Sequence, residues 1–313
     1  MQSIAHRGFA GLMPENSLAA FQFALQQPGC VGVECDLRLT ADGAVVLHHD
    51  GRLNRGFCRH AQGYWLPEQG PTPAIHQLSY AELQQYRIGQ QKPGSLYAKE
   101  HPGRADIEDA PIPRFRELLA LCLQRPDFLC VAELKTPVPE REALAWLPLA
   151  RQALAEVTAL NAEAQTVFCS FHWDALNWLG QHSRCPRWYT SHPLPWLGLT
   201  PANPLTPEPS GRRQQILTEA ARLGGGLWPE QHHPLRQSGQ AVQQLAAAIA
   251  KQGGRGWFMH YSDVNKDTVA ACKAAGILLC AWSGGKVPQP AIMRLQQWGV
   301  AYFCGDDVNA AGR

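Results

Sequence analysis

The chain has 313 residues, enough for one large domain or two of average size. Apolar residues make up 45% and charged residues only 17%, which excludes a disordered chain and supports a sizeable core. A formal net charge of +2 excludes nucleic-acid binding driven by bulk charge, and no apolar run approaches the ~20 residues of a membrane span.

The first residues, Met1 to His6, show neither the basic stretch nor the long apolar core of a signal peptide. Ten cysteines are present without a Cys-x-x-Cys pair. Five of them (Cys35, Cys130, Cys169, Cys280 and Cys304) fall in strand-like segments, as small buried residues do in a reducing compartment. The expectation is a cytoplasmic protein.

Along the chain, Ser3–His6 reads as a strand. Leu18, Phe21 and Leu25 follow at helical spacing, with Asn16 or Ser17 as N-cap. "VGVECDLRLT" alternates with period two, and "AVVLHH" follows after the turn "TADGA". Later strand candidates are "FLCVAELK", "QTVFCSF", "RWYT", "GGLWP", "GWFMHY", "ILLCAW" and "VAYFCG". Helical patterns cover 114–123, 140–160, 214–223, 240–251, 268–275 and 291–298. Strand followed by helix, repeated, is the pattern of a parallel sheet covered by helices, and about eight units in about 250 residues fit an α/β (β/α)8 TIM barrel. The ten strand candidates exceed eight, and "GGLWP" or "RWYT" is the expected extra. The chain reads as one domain, 1–313, with residues 51–110 as an insertion at the catalytic mouth. That stretch is rich in Gly, Pro, Gln and aromatics, carries one helix-like piece ("SYAELQQYRIG"), and should contribute little to the barrel core. A second irregular stretch, 186–209, holds seven prolines and reads as a stiff loop over the active face.

In Val31–Thr40, Val31, Val33, Cys35, Leu37 and Leu39 share one face, and Glu34, Asp36 and Arg38 share the other. The apolar face should meet the helices, so two carboxylates point into the barrel, where a cation resolves the cost of burying them together. Charges facing water at a sheet edge are the competing reading, disfavoured by the apolar surroundings. Glu133 and Lys135 share a face of the "FLCVAELK" strand, which supplies a third carboxylate. Three carboxylates without a thiolate suit Mg²⁺ or Ca²⁺ rather than zinc. His48 and His49 lie on opposite faces of their strand, and alternation leaves open which looks inward. His232 and His233 read as a solvated pair.

The motifs "AHRG", "PENS", "VECDLRLTADG", "VVLHHD" with Leu53 and Arg55, "AELK", "CSF", "AW" and a final "GDD" occur in this order. In that order they resemble the glycerophosphodiester phosphodiesterase family, densely over residues 3–55 and more thinly to about 307. The resemblance implies a metal-dependent TIM barrel that hydrolyses glycerophosphodiesters to glycerol 3-phosphate and an alcohol. It implies His6 and His49 as an acid/base pair, and Glu34, Asp36 and Glu133 as ligands of the divalent cation. Arg7 and Lys135 match its basic residues near phosphate. Asn16 supports the site beside Glu15, whose own role it leaves open. We read His49 as the acid and His6 as the base. Where the family often shows Trp-Thr-x-Asn, Trp282 is followed by Ser283-Gly284-Gly285, so the asparagine is missing and Trp282 is left as a candidate pocket wall. The competing classes are a lipid-directed phospholipase D or C type barrel, disfavoured by the lack of a basic cluster, and a non-catalytic phosphodiester-binding relative, disfavoured because no histidine or carboxylate is lost. The expected partner is a small-molecule substrate, with no nucleic acid and no membrane span.

Overall fold

The computed structural model describes residues 1–136, 146–193 and 240–307. Eight parallel strands close on themselves: β1 (Gln2–Ala5), β2 (Cys30–Leu39), β6 (Leu129–Leu134), β7 (Thr166–Ser170), β8 (Arg187–Thr190), β9 (Gly256–His260), β10 (Leu278–Trp282) and β11 (Tyr302–Gly305). β1 pairs with both β2 and β11, which completes the (β/α)8 barrel. "RWYT" is thus a barrel strand, not an extra one. The run outside the barrel is "AVVLHH", whose β3 (Val45–Leu47) lies antiparallel on β2. The five-residue "TADGA" turn decides this, because a parallel return needs a crossover of a dozen residues or more. "GGLWP", the helical pattern at 214–223 and His232-His233 lie outside the described residues.

The helices largely follow the apolar spacing. α1 (Leu18–Gln26) starts at Ser17, whose hydroxyl accepts the Ala20 N–H. α4 (Phe115–Cys122), α5 (Trp146–Ala159), α7 (Gln240–Lys251), α8 (Lys266–Ala274) and α9 (Gln289–Gln297) match expected stretches. α6 (Trp173–His182) was not foreseen, although Trp173, Leu176 and Leu179 recur every third residue and are all buried. No helix among the described residues is long and apolar enough to cross a membrane.

Alternation along the strands divides the core in two. Val33, Cys35 and Leu37 of β2 pack outward against the helices. Ile4, Val131, Val167, Trp188, Phe258 and Cys280 fill the lumen. Full burial of side chains of this size stabilises by about 1.5–3 kcal/mol each. A side chain at Gly256 would come within 2.7 Å of the Trp188 indole, so the bare backbone there makes room for the largest lumen residue. All ten cysteines are buried free thiols.

Within 51–110 the chain forms β4 (Arg59–His60), α2 (Tyr80–Leu83), β5 (Tyr86–Arg87) and α3 (Leu96–Glu100). "SYAELQQYRIG" is one helical turn with a Ser79/Glu82 capping box, followed by a strand, rather than a longer helix. Leu53, Phe57, Leu66, Ile75, Leu83 and Ile88 gather in an apolar cluster of their own, joined by Val46 and Ile112.

Gly8 sits at φ +83°, and a Cβ there would lie 2.6 Å from the Ala20 Cβ. Neither the left-handed backbone nor the approach of α1 tolerates a side chain. Gly8→Ala should therefore lower stability by roughly 1–3 kcal/mol. Urea denaturation checks this; an unchanged midpoint would contradict the packing described.

Candidate active site

The site lies where barrel chemistry is built, at the carboxyl ends of the strands. Glu34 and Asp36 project into the lumen from β2, and Asp36 stands opposite Glu133 in the parallel register of β2 and β6. Ligand oxygens of Glu34, Asp36 and Glu133 all lie within 4.8 Å of one another. Glu34 and Asp36 are 2% and 1% exposed. Glu34 Oε1 and Asp36 Oδ1 are buried and accept no hydrogen bond. A Glu34 oxygen without a partner and an Asp36 oxygen met only by the Lys135 ammonium, facing a third carboxylate, form the donor set of a hard divalent ion, so these residues fit such a cation.

The surrounding cations divide unevenly. Asp36 has Arg7 Nε at 3.0 Å and Lys135 Nζ at 3.4 Å, and accepts the Asn16 amide at 2.8 Å. Burial alone would raise its pKa, but Arg7, Lys135, His49 and the Asn16 hydrogen bond hold it well below the usual carboxylate range. Lys135 also reaches Glu133 at 2.9 Å. Glu34 has only the Arg7 backbone N–H at 3.2 Å and His6 Nε2 at 3.8 Å. Burial, and then Asp36 and Glu133, push its carboxyl up to about 8 against the pull of His6 and Arg7.

The loop after β1 (residues 6–17) presents these groups by unusual backbone. Arg7 and Asn16 take left-handed φ of 49° and 55°. Each costs about 1 kcal/mol for a residue with a Cβ. In return the Arg7 N–H faces Glu34, and Asn16 clasps Asp36 twice, through its amide and by accepting the Asp36 N–H. Ser17 rather than Asn16 caps α1, which releases Asn16 for this task.

The two adjacent histidines separate as alternation requires. His48 turns into the insertion's cluster, 1% exposed and against the Phe57 ring at 5.6 Å. His49 keeps about a third of its side chain exposed and donates Nδ1–H to Asp50 at 2.8 Å. The Asn54 amide donates to the other Asp50 oxygen at 2.8 Å. His6 donates Nδ1–H to Asp306 at 2.5 Å. Asp306 also accepts the Gly285 N–H, so the Ser-Gly-Gly segment that replaces the family's asparagine serves this aspartate. Asp306, Asp50 and Asn54 were not read as site residues from the sequence; the "GDD" motif was the available signal for Asp306.

Burial and Arg7 lower the His6 pKa, but Asp306 and Glu34 prevail and the net shift is upward. Burial, Arg7 and Lys135 carry His49 downward against Asp36 and Asp50. Set by the protein's own groups, these directions run opposite to an acidic His49 and a basic His6. Trp282, the last residue of β10, stands edge-on to His260 at 4.9 Å and to Phe171 at 6.1 Å. Phe171 stacks on His192 at 4.3 Å.

Glu34 ionises near 4.5 in an unfolded chain and at about 8 in the fold. Between those pH values the folded state holds a proton the unfolded state has shed, so stability falls as pH rises through the window. In chelator, Glu34→Gln should remove that slope and stabilise the fold at pH 8 by on the order of 2 kcal/mol, with little gain at pH 4.5. It should also weaken any stabilisation by an added divalent cation. Melting curves at both pH values check this; equal stability of the two proteins at pH 8 would count against it.

The sequence profile of the Glycerophosphoryl diester phosphodiesterase family matches residues 6–310. A glycerophosphodiester phosphodiesterase of Bacillus altitudinis is 32% identical over 134 residues, 43% of this chain and 45% of that protein. A crystal structure from Silicibacter pomeroyi DSS-3 superposes with a TM-score of 0.78 at 25% identity, over 99% of this chain and 91% of that one. The Oleispira antarctica phosphodiesterase solved with its product sn-glycerol-3-phosphate superposes with a TM-score of 0.62 at 20% identity, over 99% of this chain and 95% of that one. The stretches shared with these curated relatives span about half of their length. With nearly its whole length matched by the profile, the chain belongs to the glycerophosphoryl diester phosphodiesterase family.

Proposed function

We propose that this protein hydrolyses glycerophosphodiesters to glycerol 3-phosphate and an alcohol, with a divalent cation, Mg²⁺ or Ca²⁺, held by Glu34, Asp36 and Glu133. The observation that carries this reading is the buried carboxylate triad, in which Glu34 Oε1 has no hydrogen-bond partner, flanked by His6, Arg7 and Lys135 at one barrel mouth. When bound there, such a cation withdraws charge from a phosphoryl oxygen and lowers the pKa of a hydroxyl or water.

The protein's own groups supply the rest. A phosphodiester is an anion and repels nucleophiles, so its charge must be met before attack. Arg7 and Lys135 flank Asp36 and take phosphate oxygens. One of His6 and His49 removes a proton from the nucleophile, and the other protonates the leaving alkoxide. Asp306 and Asp50 fix the tautomers by accepting hydrogen bonds from Nδ1–H, which leaves each Nε2 for the reaction. Asn16 keeps Asp36 aimed at the cation. Trp282, with Phe171 and His260, forms a wall for the organic part of the substrate. We take the chain as a single catalytic domain, with 51–110 as its insertion. Ten buried free thiols suit a reducing compartment, the cytoplasm.

A coupled glycerol 3-phosphate assay on a panel of glycerophosphodiesters tests the activity. Exhaustive chelation should abolish turnover, and full activity without metal would overturn the metal-dependent reading. His6→Ala and His49→Ala should each lose roughly 10²–10⁴ in rate. The double variant should be little worse than the poorer single one, because the two act in one step. Loss of the acid should spare a p-nitrophenyl ester, whose leaving group needs no proton, whereas loss of the base should hurt both substrates alike. Near-normal rates in both single variants would dismiss the acid/base pair.

A further inference from the structure

The side of Arg7 that faces away from the triad is held by Glu15, which the insertion holds in turn. Arg7 Nη1 donates to Glu15 Oε1 at 3.1 Å, while Arg7 Nε holds Asp36. The other Glu15 oxygen accepts the Tyr97 hydroxyl from α3. Arg104 donates one guanidinium nitrogen to Tyr97 Oη and another to the Ala10 carbonyl, and lies 3.9 Å from Glu15 Oε2. Glu15 is 5% exposed, and the Arg104 side chain only 2%. A buried carboxylate between two guanidinium groups and a phenol has no water to replace a lost partner, so each contact fixes its neighbours. Tyr97 itself has little freedom. Its ring lies 4.7 Å from Phe57 and 4.5 Å from His101, under the Arg104 guanidinium at 4.8 Å. Gly56 approaches so closely that a Cβ there would be 2.5 Å from the Tyr97 Cβ.

We propose that Tyr97 and Arg104 of the insertion are positioning residues for Arg7, acting through Glu15, so that the insertion sets the enzyme's grip on the phosphate as well as the shape of its mouth. This rests on the reading of Arg7 as a phosphate ligand. The geometry forms a chain from Arg104 through Tyr97 and Glu15 to Arg7, with one hydrogen bond at each step. Neither Tyr97 nor Arg104 contacts a carboxylate of the triad in this chain, so their effect falls on phosphate affinity and not on the cation. Tyr97→Phe removes one hydroxyl and keeps the ring contacts.

The test uses the Mg²⁺-loaded protein, with inorganic phosphate as competitive probe and glycerophosphocholine as substrate. Tyr97→Phe should raise the phosphate inhibition constant and KM together by about tenfold, the worth of a hydrogen bond to a charged group. Turnover number and Mg²⁺ half-saturation should stay close to those of the parent, because uniform binding is lost without loss at the reacting atoms. Arg7→Lys should weaken phosphate binding as well, and adding Tyr97→Phe to it should cost nothing further. A Tyr97→Phe protein with the parent's inhibition constant, beside a weakened Arg7→Lys, overturns the insertion's role. Equal losses from Tyr97→Phe in both backgrounds overturn it too, since the effect would not pass through Arg7. An Arg7→Lys protein with the parent's inhibition constant overturns the underlying reading of Arg7 instead. If Tyr97→Phe does not fold, Glu15→Gln breaks the same link and is read by the same criteria.

Discussion

Repulsion among Glu34, Asp36 and Glu133 is the constraint to which the mouth of this barrel answers. Three carboxylates converge where side-chain alternation and strand register leave almost no water, and a buried charge without a partner is among the costliest features a fold can hold. The protein neutralises part of it. Arg7 and Lys135 flank Asp36, Lys135 also meets Glu133, and Glu34 is left with an unfavourable environment. That imbalance ties stability to function. The same residue that weakens the fold at neutral pH is the carboxylate most in demand of a positive partner.

The loop after β1 is shaped by this demand. It must bring a histidine, a guanidinium and an amide to two neighbouring carboxylates within about a dozen residues, which a relaxed backbone does not do. Left-handed Arg7 and Asn16, and a glycine pressed against α1, are the result. Such strain persists only where the surroundings over-determine it. Here the surroundings come from three sides: Asp306 and Gly285 behind His6, the carboxylates of β2 below, and the Tyr97–Arg104 pair of the insertion above. Groups held this way need little reorganisation when an anion arrives, which is where electrostatic catalysis gains most.

The two histidines show the same principle of one group fixing another. Each donates its Nδ1–H to an aspartate, and each aspartate is held by a further donor, Gly285 for Asp306 and Asn54 for Asp50. The ring planes are thereby set from outside the reacting centre. The ring cluster of Trp282, Phe171, His192 and His260 carries no comparable charge. Burial, helped by Lys135 at His192, pushes both of these histidines down to about 4, so they are neutral at neutral pH.

Sequence alone determined whatever depends on local periodicity. The period-two pattern of Val31–Thr40 placed Glu34 and Asp36 on the lumen side, and recurring strand-helix units gave the barrel, because both follow from backbone geometry over a few residues. The ordered motifs pointed to His6, Arg7, Asn16, Glu133 and Lys135, which the fold gathers at one mouth with the two β2 carboxylates. Tertiary structure decided what local pattern leaves open. Both faces of "VVLHH" are apolar, so only packing against the insertion turns His48 away and leaves His49 toward the charged groups. "RWYT" is too short to declare itself as a barrel strand until its neighbours pair with it on both sides. Asp306 meets His6 across 300 residues of chain, and Tyr97 meets Glu15 across 82. Contacts at such separations are made by barrel closure and by the fold-back of the insertion, and no spacing rule along the sequence encodes them.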